Sequence, residues 1–223
     1  GALAACGGGG ALLLSVEAAT LFGVVLMAEL MLGLPIAIAI FPAAVALSLA
    51  ISVLIVTAVS RCLGARAPGT FPFFGSSHLA WHVRGHFAES GLAAWTRLLH
   101  GSALGSAALR ALGATVGPGA LVDTNATGEP HLVSIGAGAV LNGESELQAH
   151  SIEARRLKLV PTTVQPASTL GGHAYVMAGA VVEPHGILAP GAILMKGESL
   201  PGGAVWRGVP AVPDYGSAGG GGL

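Results

Sequence analysis

Within nine residues of the C-terminal half, His150, Glu153, Arg155, Arg156 and Lys158 gather five side chains able to move a proton or hold an anion. An imidazole titrates near neutral pH, so His150 is suited to take a proton and give it back. Glu153 is the local carboxylate that can orient that ring or favour its charged form. Arg155, Arg156 and Lys158 present guanidinium and ammonium groups that suit phosphate oxygens. The same residues also fit a solvated loop face, with the basic groups against anionic lipid headgroups and the histidine as an ordinary hydrogen-bonded loop residue.

Other chemistries find less support. No Gly-x-Ser-x-Gly elbow presents a hydrolase nucleophile. The eight histidines contain no His-x4-His pair of the kind that converges from neighbouring coils on zinc, and a metal site is not expected. His78, His82 and His86 do line one face of a helix at i, i+4 and i+8, a spacing able to hold a metal. With Trp81 and Trp95 as anchors, that stretch reads better as an amphipathic interfacial helix. Cys6 and Cys62 make no disulfide framework. A net charge of -1 gives no electrostatic footprint for nucleic acid.

What positions the polar cluster is a six-residue rhythm. From Val164, a large apolar side chain recurs at Leu170, Val176, Val182, Leu188, Leu194, Leu200 and Trp206. Four residues after each of the first seven stand Ser168, Ala174, Ala180, Gly186, Ala192, Glu198 and Ala204, small in every case but Glu198. Period six is neither helix nor simple strand alternation. It fits a parallel β-helix of triangular coils, about 18 residues each, whose large residues point inward and stack. His173 and His185, at the fourth position of their hexads, are expected to project outward, and Lys196 and Glu198 to pair across a turn. The rhythm appears in other phases at Val116 and Val122, and at Ile135, Leu141 and Leu147. Val116 to Ile135 is one residue more than a coil, and Leu147 to Val164 one fewer. Both intervals therefore carry excursions, where polar function tends to be mounted. The five-residue cluster lies in the second.

The N-terminal quarter is different. Of 223 residues 52% are apolar and only 9% charged, and residues 1–60 hold just Glu17 and Glu29, with no Lys or Arg. Soluble domains carry about 25% charged residues, so a single soluble globule is not expected. A disordered tail, which would be rich in charge, is excluded, and a buried core helix pair is the competing reading of the apolar run. Residues 11–60 are long enough for two membrane-spanning helices of about 20 residues, divided near Gly33-Leu34-Pro35. Pro42 is expected as a kink or in the first turn of the second span. Arg61 and Arg66 follow that span and place the C-terminal part on the cytoplasmic side of an integral, multi-pass protein. A signal peptide would need a basic start and a shorter apolar run. Glu17 and Glu29, costly as charges within a span, could also be proton or substrate contacts. The expected layout is a Gly/Ala-rich lead (1–10), the hairpin (11–60), connecting interfacial helices (61–114), the β-helix (115–212) and a Gly-rich tail (213–223). Gly1 and the glycine-rich opening read as a piece of something longer.

Hexapeptide repeats closed by GAVWRGVPA (203–211) resemble the left-handed β-helix acyltransferases, whose last coil commonly ends in Gly-x-Pro-Ala. RALGATVG (110–117), VDTNATGEPHLVSIG (122–136), LNGESELQAHSIEARRLKL (141–159) and LMKGESLPGGAVWRGVPA (194–211) together resemble the membrane-bound C-terminal region of ε-poly-lysine-synthetase-like non-ribosomal peptide synthetases. The chain departs from that pattern at His131, where an aspartate is expected, and at Ala154 and Leu157. The resemblance implies a left-handed parallel β-helix behind a transmembrane α-hairpin, downstream of adenylation and carrier domains. It also implies amide formation from an acyl or aminoacyl thioester of CoA or phosphopantetheine. His150 then becomes the base, Glu153 its partner, and Arg155, Arg156 and Lys158 the phosphate holders. Partners so implied are the lipid bilayer, the upstream domains, and further β-helices in a homotrimer or tandem packing. Two competing functions are a non-catalytic scaffold tethering upstream domains to the membrane, and an export module motivated by Glu17 and Glu29.

Overall fold

The computed structural model describes residues 21–62, 64, 67–85, 99–124 and 128–215. Expectations that rest on Cys6, Glu17, Arg66, His86, Trp95 and residues 1–20 and 216–223 lie outside the described residues. The chain divides into two compact units, one within 1–64 and 80–95, the other within 65–79 and 96–223.

In the first unit, helix Leu21–Leu32 is followed by helix Leu34–Cys62. The break falls on Gly33, which adopts φ +86, a conformation that costs glycine little. Pro35 sits in the first turn, where a missing N–H leaves no bond unmade. Pro42 lies inside the second helix rather than at its start. Leu34–Val59 is a 26-residue stretch of mean hydropathy 2.6, long and apolar enough to cross a bilayer. Leu34, Ile38, Leu47 and Leu54 expose their side chains along it, and Arg61 occupies its last turn. Glu29 is exposed on the shorter helix. Leu21–Leu32 is by itself too short to span, so among the described residues one helix meets the requirement.

The second unit is a three-faced parallel β-helix. Its first face ladders strands Thr115–Val116, Val133–Ile135, Thr162–Val164, Val181–Val182 and Ser199–Leu200. The second ladders Leu121–Val122, Val140–Leu141, Thr169–Leu170, Ile187–Leu188 and Val205–Arg207, with Val212–Pro213 folding back antiparallel. The third ladders Glu146–Leu147, Tyr175–Val176 and Ile193–Leu194. Ile135, Leu141, Leu147, Val164, Leu170, Val176, Val182, Leu188, Leu194 and Leu200 all point inward and are buried, as the six-residue rhythm requires. No coil closes its own core, so each depends on its neighbours.

The turns explain the rest of the hexad. At Gly119, Gly138, Glu144 and from Ala167 through Gly203, three residues after an inward position, the backbone has positive φ; after Leu147 that place is taken by His150, where the inserted hairpin begins. His173 (φ 57) and His185 (φ 61) hold this position and are exposed, so they do point outward. One residue later, Ser168, Ala174, Ala180 and Ala192 are buried at the corner. Glu198 escapes by turning back, its carboxylate accepting the Met195 N–H at 3.0 Å. It does not pair with Lys196, whose ammonium reaches Glu153 instead. Where coils approach most closely only glycine fits: a Cβ on Gly136 would lie 2.3 Å from Pro166 N. Gly136→Ala is therefore expected to destabilise the β-helix by about 1–3 kcal/mol, seen as an earlier thermal transition by circular dichroism.

Register corrects the reading of the second gap. Ile135 pairs with Val164, Leu141 with Leu170 and Leu147 with Val176, so each face advances by 29 residues there instead of 18. Leu147 and Val164 thus occupy adjacent faces, and their interval is a six-residue step carrying eleven inserted residues. It is not a coil short of one. The insertion is an antiparallel hairpin, His150–Glu153 with Arg156–Leu159. Ala154 (φ 46) and Arg155 (φ 59) form its two-residue turn, both in the left-handed region that such turns require. Where connecting helices were expected, Gly69–Pro72 is instead a strand, pairing antiparallel with Arg156–Leu159 and making the hairpin three-stranded. Helix Ala103–Ala111, capped by the Ser102 hydroxyl, meets the first coil, and Arg110 Nε donates to the Val116 carbonyl at 3.0 Å.

Candidate active site

Leu147 and Ala149 are buried, so the outward row of this extended segment is Glu146, Gln148 and His150. His150 opens the inserted hairpin, and its side chain is 24% exposed. Its Nδ1 lies 2.8 Å from Oε1 of Glu129, a residue only 1% exposed. The other oxygen of Glu129 accepts the Ala149 N–H at 3.2 Å. One carboxylate therefore grips both the ring and the backbone that carries it. With the ring proton assigned to Nδ1, on the side of the carboxylate, Nε2 keeps its lone pair, and Nε2 faces the Gln148 amide at 3.5 Å. Burying a carboxylate is costly unless it is hydrogen-bonded or paired; the Ala149 N–H supplies the hydrogen bond, and the imidazole stands within ion-pair distance without the alignment of a hydrogen bond.

Glu129 comes from the first excursion, where it precedes the single turn Pro130–Leu132 with Pro130 and Leu132 buried. The sequence reading missed it. The available signal was a carboxylate next to a proline and a histidine in the first excursion, in the run Glu129-Pro130-His131-Leu132.

Glu153 does not hold the imidazole. Three residues apart in one strand, it and His150 face opposite sides of the hairpin sheet. Glu153 lies between Lys158 at 2.6 Å and Lys196. Hydrogen bonds from Lys158 and then Lys196 pull its carboxyl down to about 2. A depressed carboxylate stabilises the fold above its unfolded value near 4.5 and loses that contribution as pH falls toward 2. Glu153→Gln is expected to leave turnover intact and to melt earlier than the parent chain at pH 6. The gap between the two melting curves is expected to narrow between pH 4.5 and 2.

The three basic residues are not equivalent. Lys158 belongs to Glu153, while Arg155 and Arg156 stand exposed at the hairpin tip. Beside the His150 row, the Tyr175 hydroxyl donates to Glu146 at 3.1 Å. Burial, followed by the charge of Glu146, raises the Tyr175 phenol above its ordinary value. Another histidine and carboxylate, His100 and Asp123, come no closer than 3.9 Å, which is not a hydrogen bond. His78 packs its ring 4.2 Å from Phe73, and His82 lies 6.2 Å from Trp81. Among the described residues no three His, Cys, Asp or Glu side chains converge to hold a metal.

No protein-family model matches the chain. Over 105 residues, 47% of its length, it is 35% identical to delta-poly-L-ornithine synthetase of Acinetobacter baumannii, in agreement with the resemblance read from the motifs. The chain spans only 8% of that relative. Among solved structures it is similar to a hexapeptide-repeat acetyltransferase of Vibrio cholerae, at 13% identity and TM-score 0.45, covering 59% of this chain and 91% of that one. A galactoside acetyltransferase in complex with coenzyme A aligns at 15% identity and TM-score 0.46, covering 68% and 88%.

Proposed function

We propose that this chain is the membrane-anchored, acyltransferase-like portion of a peptide-synthetase-like protein, and that it forms an amide from an acyl or aminoacyl thioester. The observation that carries this is the 2.8 Å contact from Glu129 to His150 Nδ1, on a ring whose edge still reaches solvent. Glu129 holds the ring so that Nε2 accepts the proton of an amine as its nitrogen attacks the thioester carbon. The C–N bond forms, the C–S bond breaks, and the proton passes from Nε2 to the departing thiolate. CoA or phosphopantetheine is the thiol carrier that fits this chemistry. Glu146, on the same outward row as His150, favours an acceptor that keeps a second, cationic amino group, which suits a relative named for poly-ornithine synthesis. Anchoring rests on the 26-residue apolar stretch, with the hairpin and the cytoplasmic placement carried over from residues 11–60 and from Arg61.

The test is release of free thiol from an acyl-CoA by the purified full chain, with and without a diamino acid. Amine-dependent release with amide product supports the reading, and no release with either CoA or pantetheine thioesters overturns it.

A scaffold role is the second reading. It is favoured by the row Leu121, Val140, Thr169, Ile187 and Val205 on the outside of the second face, where Leu121 and Ile187 are exposed. That stripe is a surface on which another β-helix could pack. A chain that assembles with others but binds no thioester belongs to this reading.

A further inference from the structure

The tip of the inserted hairpin carries a surface that the proton transfer proposed for His150 does not call on. Pro72 pairs opposite Arg156, and the Phe73 N–H donates to the Arg155 carbonyl at 2.9 Å. The strand Gly69–Pro72, here called the strap, and the hairpin thus emerge together, bringing Phe73 and Phe74 beside Arg155 and Arg156. The Phe73 and Phe74 rings meet edge-on at 4.5 Å, and His78 backs Phe73. Phe74 is 75% exposed and sits at φ 63, a conformation bulky residues seldom adopt. The chain therefore holds a strained aromatic residue with its ring out in solvent. On the hairpin, Ile152 is also exposed.

Charge at this tip is one-sided. Glu153 is occupied by Lys158 and Lys196, and among the described residues neither Arg155 nor Arg156 enters an ion pair. Aromatic rings next to unpaired guanidinium groups match the interfacial layer of a bilayer, where rings sit at headgroup depth and basic side chains meet phosphates. The strap begins seven residues after the apolar helix ends at Cys62.

We propose that this tip docks on a bilayer carrying anionic lipids, with Phe74 and Phe73 entering the interface and Arg155 and Arg156 on the headgroup phosphates. The proposal is independent of the acyl-transfer reading.

The test uses the full chain with Cys6→Ser, Cys62→Ser and Phe74→Cys, labelled with bimane. It is placed in vesicles of phosphatidylcholine alone, or with about 30 mol% phosphatidylglycerol. Lipid-borne doxyl groups are expected to quench the probe at least about twofold more strongly in the anionic vesicles. Arg155→Gln/Arg156→Gln, or about 0.5 M NaCl, is expected to remove that difference. Equal quenching in both vesicle types overturns the proposal. So does a weakened affinity for acyl-CoA in the double variant with quenching unchanged, because the guanidinium groups then serve the thioester donor.

Discussion

Replacing His150 by alanine is expected to slow thioester aminolysis by the full chain about 10²–10⁴-fold, the usual contribution of a positioned general base. The substitution is clean because the ring is partly exposed and no inward-stacking residue changes. The circular-dichroism spectrum is expected to stay that of the parent, while the melting temperature falls because buried Glu129 loses the imidazole beside it; an unchanged spectrum separates lost chemistry from lost fold. Undiminished turnover by a folded variant removes His150 from the mechanism.

Glu129→Gln is expected to cost activity on a similar scale for a different reason. The glutamine keeps the shape of the buried side chain and can still accept the Ala149 N–H through its carbonyl oxygen. Its amide then faces Nδ1 as a donor, which forces the ring proton onto Nε2 and leaves no base toward the acceptor. Loss of a comparable orienting carboxylate in serine hydrolases costs about 10⁴-fold in kcat. The expected signature is a fall in kcat with little change in donor KM, together with an altered pH dependence of the rate. A merely structural role for Glu129 changes stability but leaves that pH profile in place.

The prism was legible in the sequence because one physical requirement repeats. A single large side chain per face must fill the core, and Val164 through Leu200 meet it in unbroken phase. The left-handed turn is harder to see, since Gly, Ala, His and Glu all occupy it and it shows only in the backbone. The 17-residue gap misled because counting in coils hides a hairpin that leaves one corner and returns to the next.

The site was half legible. His150 stood out through local crowding of charge, but its partner did not, because a contact from Glu129 across 21 residues leaves no trace in local spacing. Glu153 looked right by proximity and fails by strand alternation, which turns it toward Lys158 and Lys196. The strap was missed for a similar reason. Gly69–Pro72 is a short segment ending in proline, and it becomes a strand only because Arg156–Leu159 offers it an edge.

The central claim is that Glu129 and His150 act as one unit, and a double-mutant cycle tests it most directly. Turnover of the full chain is compared for Glu129→Gln, His150→Ala and the double variant, each checked for intact fold. A double variant no slower than His150→Ala alone is the predicted result, since a carboxylate without its imidazole has nothing left to orient. Losses that multiply contradict it, because Glu129 and His150 then act separately.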